Sequence, residues 1–271
     1  MAHVILERKP QLIEHFVSLE GEGITVGRAA LFIRTNECNL SRNFCDTAFS
    51  ITGKTPALVE DMTSTEYVNF LKSNYSMFDR KHVTNLSITG GEPLMNLNYF
   101  AAMIDATLEA FENINKVVIE TNGYLLKDRE NCFKLIEQIG KFYPKIHFII
   151  SLSPKLDGKV SFANKETNEE ILANYKAIIK NYKRLLSAHF DIQLKTVYSQ
   201  VLVSSNEPLI NYCLDNRLLT RDQILVVPFT PKDPTGKNTE EWTKSKDEAA
   251  RYALANYFRY SPRIHIDRKL S

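Results

Sequence analysis

No stretch of this sequence is apolar for long enough to cross a membrane, and its opening, MAHVILERKP, lacks the apolar segment of a secretory leader. A cytoplasmic protein without a membrane partner is the expectation. Charge of one sign is missing too. The 34 Lys and Arg against 32 Asp and Glu leave a net +2, which gives no electrostatic footprint for nucleic acid. Cysteine is sparse: four in 271 residues, with no leader, argue against a disulfide framework. Only Cys38 and Cys45 lie close together, while Cys132 and Cys213 fall in helical, half-apolar segments and read as buried free thiols. No internal repeat, low-complexity tract or Pro/Gly-rich linker divides the chain, so a single domain over residues 1–271 is expected. What is present is ordinary: 44% hydrophobic and 24% charged residues suit a globular protein with a real core.

Short apolar, β-branched runs alternate with long helical patterns. The strand candidates are residues 29–34, 83–89, 116–121, 146–152, 192–203, 223–228 and 263–267. Most read as continuous apolar stretches, as in Ile146-His147-Phe148-Ile149-Ile150, which suits strands covered on both faces. Between them, Thr63-Ser64-Thr65-Glu66 and Thr167-Asn168-Glu169-Glu170 each fit a capping box that opens a helix. This alternation predicts an α/β fold with parallel strands, right-handed crossovers and helices outside. Ligands then belong at the carboxyl ends of the strands.

Four consecutive strand ends carry small, polar or ionisable residues. They are Cys38-Asn39-Leu40-Ser41-Arg42-Asn43-Phe44-Cys45-Asp46-Thr47, Thr89-Gly90-Gly91-Glu92-Pro93, Glu120-Thr121-Asn122-Gly123 and Ser153-Pro154-Lys155. Singly, each is as well read as a turn, a helix start or a solvated lysine. In order, at the ends of successive strands, they suit one ligand site. Paired glycines let backbone approach a ligand, and free amides there can bind an amino acid's carboxylate while an acidic side chain takes its ammonium. A cysteine loop after the strand at 29–34 would supply thiolates to an iron–sulfur cluster.

In these motifs the chain resembles the 7-carboxy-7-deazaguanine synthase family of radical S-adenosylmethionine (SAM) enzymes. Phe16-Val17-Ser18-Leu19-Glu20-Gly21-Glu22-Gly23, Gly27, Phe32-Ile33-Arg34 and the loop from Cys38 to Thr47 follow the family's opening, and Ser261-Pro262-Arg263-Ile264-His265-Ile266 resembles its closing strand. The resemblance implies a partial (β/α) barrel, a 4Fe–4S cluster, SAM and Mg2+. It also implies conversion of 6-carboxy-5,6,7,8-tetrahydropterin to 7-carboxy-7-deazaguanine, a carbon–nitrogen lyase reaction of queuosine and deazapurine biosynthesis. On the same footing Leu19, Glu20, Gly21, Arg34 and Thr89 would contact the pterin. Gly91, Ser153, Pro154 and Lys155 would hold SAM, Cys38 and Cys45 would ligate the cluster, and Thr47 would serve the magnesium ion. A homodimer and an electron donor such as flavodoxin are further implications.

Two departures stand out. The family's middle cluster cysteine falls at position 42, where this chain has Arg42 with the loop length unchanged. Arginine has no acceptor lone pair at any accessible pH and cannot ligate iron. Glu20 stands where the family has glutamine, which exchanges an amide for a carboxylate and is expected to add negative charge beside the pterin. The alternatives are therefore a synthase impaired at its cluster, a cluster-less binding or regulatory protein, and a glycyl-radical activating enzyme, which shares the Cys loop and the Gly-Gly-Glu motif.

Overall fold

The computed structural model describes residues 12–36, 38–42, 62–95, 97–126, 130–156, 160–161, 166–185, 190–231 and 236–267. Its strands are β1 (Leu12–Leu19), β2 (Ala29–Thr35), β3 (Ser41–Arg42), β4 (Asn85–Gly90), β5 (Lys116–Thr121), β6 (His147–Leu152), β7 (Val160–Ser161), β8 (Phe190–Tyr198), β9 (Ile224–Pro228) and β10 (Arg259–Tyr260). Eight of them form one sheet in the order β1-β2-β4-β5-β6-β8-β9-β10. All neighbours in it are parallel except β1, which runs antiparallel to β2 at one edge. The helices are α1 (Ser64–Asn74), α2 (Met77–His82), α3 (Leu97–Ala110), α4 (Glu130–Phe142), α5 (Asn168–Leu185), α6 (Val203–Asp215), α7 (Thr239–Asn256) and the single turn α8 (Ile264–Asp267).

Side-chain alternation gives the sheet two unlike faces. Leu31, Ile33, Leu86, Ile88, Val117, Ile119, Phe148, Ile150, Ile192 and Leu194 share one core with Tyr67 and Leu71 of α1, Phe100 and Ile104 of α3, and Tyr175 and Ile178 of α5. Each such aliphatic side chain, fully withdrawn from water, contributes about 1.5–3 kcal/mol. The alternate positions face away from these helices. In register across the sheet they read Phe32, Ser87 and Val118, then Arg34 and Thr89, then Glu120, Ser151 and Gln193. That second face is largely polar.

Both expected capping boxes form. Thr63 Oγ1 accepts from the Glu66 amide at 3.2 Å while Glu66 Oε2 accepts from the Thr63 amide at 2.7 Å. Thr167 and Glu170 repeat the exchange at the start of α5, at 3.3 and 2.8 Å. Each cap is worth about 1 kcal/mol.

Two sequence expectations are corrected, and one strand is added. The closing segment 263–267 is not a strand: the amides of Ile266 and Asp267 return to Arg263 O at 3.0 and 3.2 Å, and α8 results. The alternation Arg-Ile-His-Ile-Asp imitates a strand, but Pro262 lacks the amide that would extend the ladder. The closing strand is β10, paired through Arg259 and Tyr260 with Leu225 and Val226. The candidate at 192–203 overruns, because the Leu202 and Val203 amides turn back to Ser199 O at 3.1 and 3.0 Å and start α6. The antiparallel edge strand β1 is an addition that the sequence reading did not assign.

Candidate functional site

The loop leaving β1 folds back between the polar sheet face and the C-terminal turn. It closes on itself where Glu20 N donates to Arg28 O and Gly27 N to Glu20 O, both at 2.8 Å. Gly23 N then donates to Ser261 Oγ at 2.9 Å, Ile24 N to Gln193 Oε1 at 3.0 Å, and Ile264 N to Gly21 O at 3.1 Å. Glycine is needed here for space as well as for backbone freedom. A Cβ on Gly21 would meet the His265 ring at 2.1 Å, and one on Gly23, whose φ is +81°, would meet Gln193 Nε2 at 2.7 Å.

Glu22 is the centre of a buried charge network. Its Oε1 accepts from Arg263 Nε at 2.6 Å and its Oε2 from Lys195 Nζ at 2.9 Å, with His265 Nε2 at 3.9 Å. Lys195 also reaches Glu120 Oε1 at 3.0 Å, and Thr89 Oγ1 donates to Glu120 Oε2 at 3.4 Å. Burial opposes ionisation of Glu22, but Arg263 and Lys195 outweigh it and hold the carboxyl far below the usual range. Burial would likewise favour neutral Lys195, yet Glu120 and Glu22 raise its pKa. His265 is lowered by burial despite the nearby Glu22.

Glu20 behaves differently from its expected role as an added charge. It is buried, and burial followed by repulsion from Glu120 pushes its pKa up to about 8. At neutral pH it is mainly a neutral carboxyl that keeps a donor, as an amide would. Glu20 faces Asn85, whose side chain favours the ionised form against these effects, and among the described residues Ser87 Oγ and Ser151 Oγ are buried with no hydrogen-bond partner. Buried polar atoms ordinarily find partners, so these two hydroxyls beside the charge network suit a polar ligand or bound water.

A second network ties the strand ends together. Glu92, only 1% exposed, accepts from Thr121 Oγ1 at 2.6 Å, Asn122 N at 2.8 Å and Leu94 N at 3.1 Å. Burial raises its pKa against these three donors. Asn122 Nδ2 in turn donates to Asn39 Oδ1 at 2.8 Å and stands 4.0 Å from Cys38 Sγ. The Gly-Gly-Glu segment thus serves the frame more directly than expected. Gly91 N donates to Thr35 O at 2.9 Å, and Gly90, at φ +116°, is required because a Cβ would meet Thr35 O at 2.3 Å. Glu92 is turned inward onto its three donors.

The remaining expected residues fall as follows. Arg34 Nε pairs with Glu14 Oε2 at 3.0 Å across β1 and β2, in register with Thr89 on its other side. Leu19 is exposed at the end of β1, and Gly21 is buried. Half-buried Lys155 donates from Nζ to Ser153 Oγ at 2.8 Å, with Pro154 buried between them. Cys38 is half-buried, its Sγ donating to Asn39 Oδ1 at 3.9 Å. Cys45 and Thr47 lie outside the described residues, as does the side chain of Arg42, whose backbone pairs with Val160. Gln193, Lys195 and the ionic role of Arg263 escaped the sequence reading. For Gln193 and Lys195 the signal was the alternation Asp-Ile-Gln-Leu-Lys on β8, polar on one face only.

Among curated proteins, the 7-carboxy-7-deazaguanine synthase of Clostridium acetobutylicum is 25% identical over 212 residues, covering 77% of this chain and 89% of that protein. That of Halobacterium salinarum is 26% identical over 261 residues, covering 93% and 88%. That of Methanothermobacter thermautotrophicus is 31% identical over 134 residues, covering 49% of each chain. The family described as a 4Fe-4S single cluster domain matches residues 19–170. The chain belongs to this family, as a radical-SAM protein of the QueE group. The crystal structure of QueE from Escherichia coli superposes with a TM-score of 0.53 at 17% identity over 93% of both chains, a likeness of fold. The sheet and its outer helices are the partial barrel expected of a radical-SAM protein.

The family match supports a 4Fe–4S cluster, for which the resemblance expects three thiolates in the loop. The loop has two thiols, Cys38 and Cys45, and Arg42 cannot act as a third. Cys213 is buried in the core on α6, where burial pushes its thiol up to about 12. Cys132 lies on α4, its side chain outside the described residues. Among the described residues no group of three or more His, Cys, Asp or Glu is placed to hold a metal ion. Among them, too, no helix is long and apolar enough to cross a membrane.

Proposed function

We propose that the chain is a 7-carboxy-7-deazaguanine synthase-type protein that binds SAM and 6-carboxy-5,6,7,8-tetrahydropterin, with cluster assembly impaired by Arg42. The observation that carries this reading is the polar sheet face, where the buried side chains of Glu20, Asn85, Ser87 and Ser151 adjoin the Thr89–Glu120–Lys195–Glu22 network. A pterin offers alternating donors and acceptors along one edge and suits such a lining. In this reading Leu19, Glu20, Gly21 and Thr89 meet the substrate, and Arg34 supplies a planar cation for its carboxylate in competition with Glu14. Gly91, Ser153, Pro154 and Lys155 hold SAM, and Thr47 serves Mg2+. The active form would be a carbon–nitrogen lyase, a cytoplasmic homodimer of single-domain chains fed by a donor such as flavodoxin, with no nucleic-acid partner.

The shortage of thiolates favours a second reading, a cluster-less protein that keeps the residues assigned here to substrate and SAM. Anaerobic reconstitution followed by iron and sulfide analysis separates the two. The impaired-synthase reading expects poor loading in the unaltered chain and recovery of both cluster and SAM cleavage in Arg42→Cys. Near-stoichiometric 4Fe–4S loading without that change sinks the cluster-less reading. Failure of Arg42→Cys to restore loading moves the missing ligand elsewhere. Turnover of the tetrahydropterin by the reconstituted variant excludes a glycyl-radical activating enzyme.

A further inference from the structure

Tyr175 lies on α5, outside the sheet, and is fully buried. Its hydroxyl passes between the ends of β5 and β6, where it donates to Asn122 O at 3.0 Å and accepts from Lys155 N at 3.1 Å. Neither backbone group belongs to a strand ladder. The ring is fixed edge-on against Tyr124 at 5.6 Å, and Tyr124 N is itself held by Asn122 Oδ1 at 2.9 Å. Every polar group of Asn122 is therefore engaged. Its amide is on Glu92, its carbonyl on Tyr175, its side-chain oxygen on Tyr124 N and its side-chain nitrogen on Asn39, beside Cys38. At the other end, Lys155 Nζ turns to Ser153 Oγ, and Ser153 N donates to Thr121 O at 2.9 Å. One buried hydroxyl thus connects the residue that grips the cysteine loop to the loop carrying Ser153 and Lys155.

We propose that Tyr175 is a positioning residue that couples SAM binding at Lys155 to the placement of the Cys38 loop. The proposal rests on the reading that Ser153, Pro154 and Lys155 hold SAM. Tyr175→Phe keeps the ring and removes only the hydroxyl, and with it the bonds to the part-buried Lys155 amide and the buried Asn122 carbonyl. The loop carrying Lys155 and the turn carrying Asn122 then lose their shared reference point.

The test uses the full chain as purified, with SAM binding by equilibrium dialysis and alkylation of Cys38 followed by peptide mass spectrometry. Tyr175→Phe is expected to weaken SAM binding by about tenfold or more and to speed Cys38 alkylation. Tyr182→Phe, equally buried on the same helix, controls for loss of a core hydroxyl and is expected to leave both readouts within about twofold of the parent. SAM binding unchanged in Tyr175→Phe but lost in Lys155→Ala overturns the proposal while the SAM reading stands. Parent chain that takes up no SAM, or Lys155→Ala that binds it normally, removes the SAM reading and the proposal with it. Amide exchange on the parent gives an independent check should Tyr175→Phe not fold. Added SAM is expected to protect residues 121–124 as well as 153–156, and protection confined to 153–156 overturns the coupling.

Discussion

Gly21 and His265 are in such close contact that a Cβ on Gly21 would stand 2.1 Å from His265 Nδ1. Gly21→Ala is therefore expected to displace the ring and strain the bond from Ile264 N to Gly21 O, at a cost of about 1–3 kcal/mol. The His265 side chain is 37% exposed and has room to move, which sets the upper limit. In a His265→Ala background the same change is expected to cost much less, by urea unfolding. Equal costs in both backgrounds would refute the contact.

Removing Lys195 leaves Glu22 and Glu120 without the cation they share. Lys195→Met is expected to destabilise the chain by about 1–3 kcal/mol, because Glu120 loses its cation while Glu22 keeps Arg263. Lys246→Met, whose partner Asp267 is partly exposed, serves as contrast and is expected to cost about 1 kcal/mol or less. Denaturant midpoints at pH 7 distinguish the two.

Glu20 makes stability depend on pH in the direction opposite to most carboxylates. Its folded pKa of about 8 lies above the unfolded value of 4.5, so the folded state binds the proton more tightly. The contribution is intact below 4.5 and is lost as pH rises through about 8. Glu20→Gln has no such loss. The variant is expected to gain on the parent steadily between pH 5 and pH 8.5, read as a widening gap in Tm. A constant gap would mean that Glu20 is ionised throughout.

Two positive-φ glycines should respond very differently to alanine. At Gly90, φ is +116° and a Cβ would press on Thr35 backbone at 2.3 and 2.4 Å. At Gly27, φ is +83° with nothing within 4 Å. Gly27→Ala is expected to cost about 1–2 kcal/mol from backbone strain alone. Gly90→Ala should cost at least about 3 kcal/mol, because backbone on a neighbouring strand cannot step aside. Soluble yield and Tm report the ranking.

How far the sequence could be read depended on the range of the interactions. Capping boxes at Thr63 and Thr167 are local and were legible. The parallel strands and their polar ends followed from alternation of elements, which needs no knowledge of distant partners. Strand β1 was missed because Leu12–Leu19 mixes Glu, His and Ser into an edge whose pairing is settled by β2. The 263–267 segment was misread because Ile264 and Ile266 alternate as in a strand, while Pro262 and the contact with Gly21 impose a turn. The polar sheet face was readable in Asn85-Leu86-Ser87-Ile88-Thr89, but the apolar runs of the neighbouring strands drew attention to the core instead. The charge of Glu20 was beyond reach, since it depends on burial and on Glu120.

The clamp on the loop after β1 joins positions far apart in the chain: Gly23 to Ser261 across 238 residues, and Glu22 to Arg263 across 241. During synthesis the intervening helices and strands can pack while that loop still waits for its counterpart. Loop-closure entropy makes such contacts late to form and early to open. The polar face therefore gains its cover after the scaffold that carries it. A truncation that spares every strand but removes residues beyond 260 would leave a folded body with an open floor.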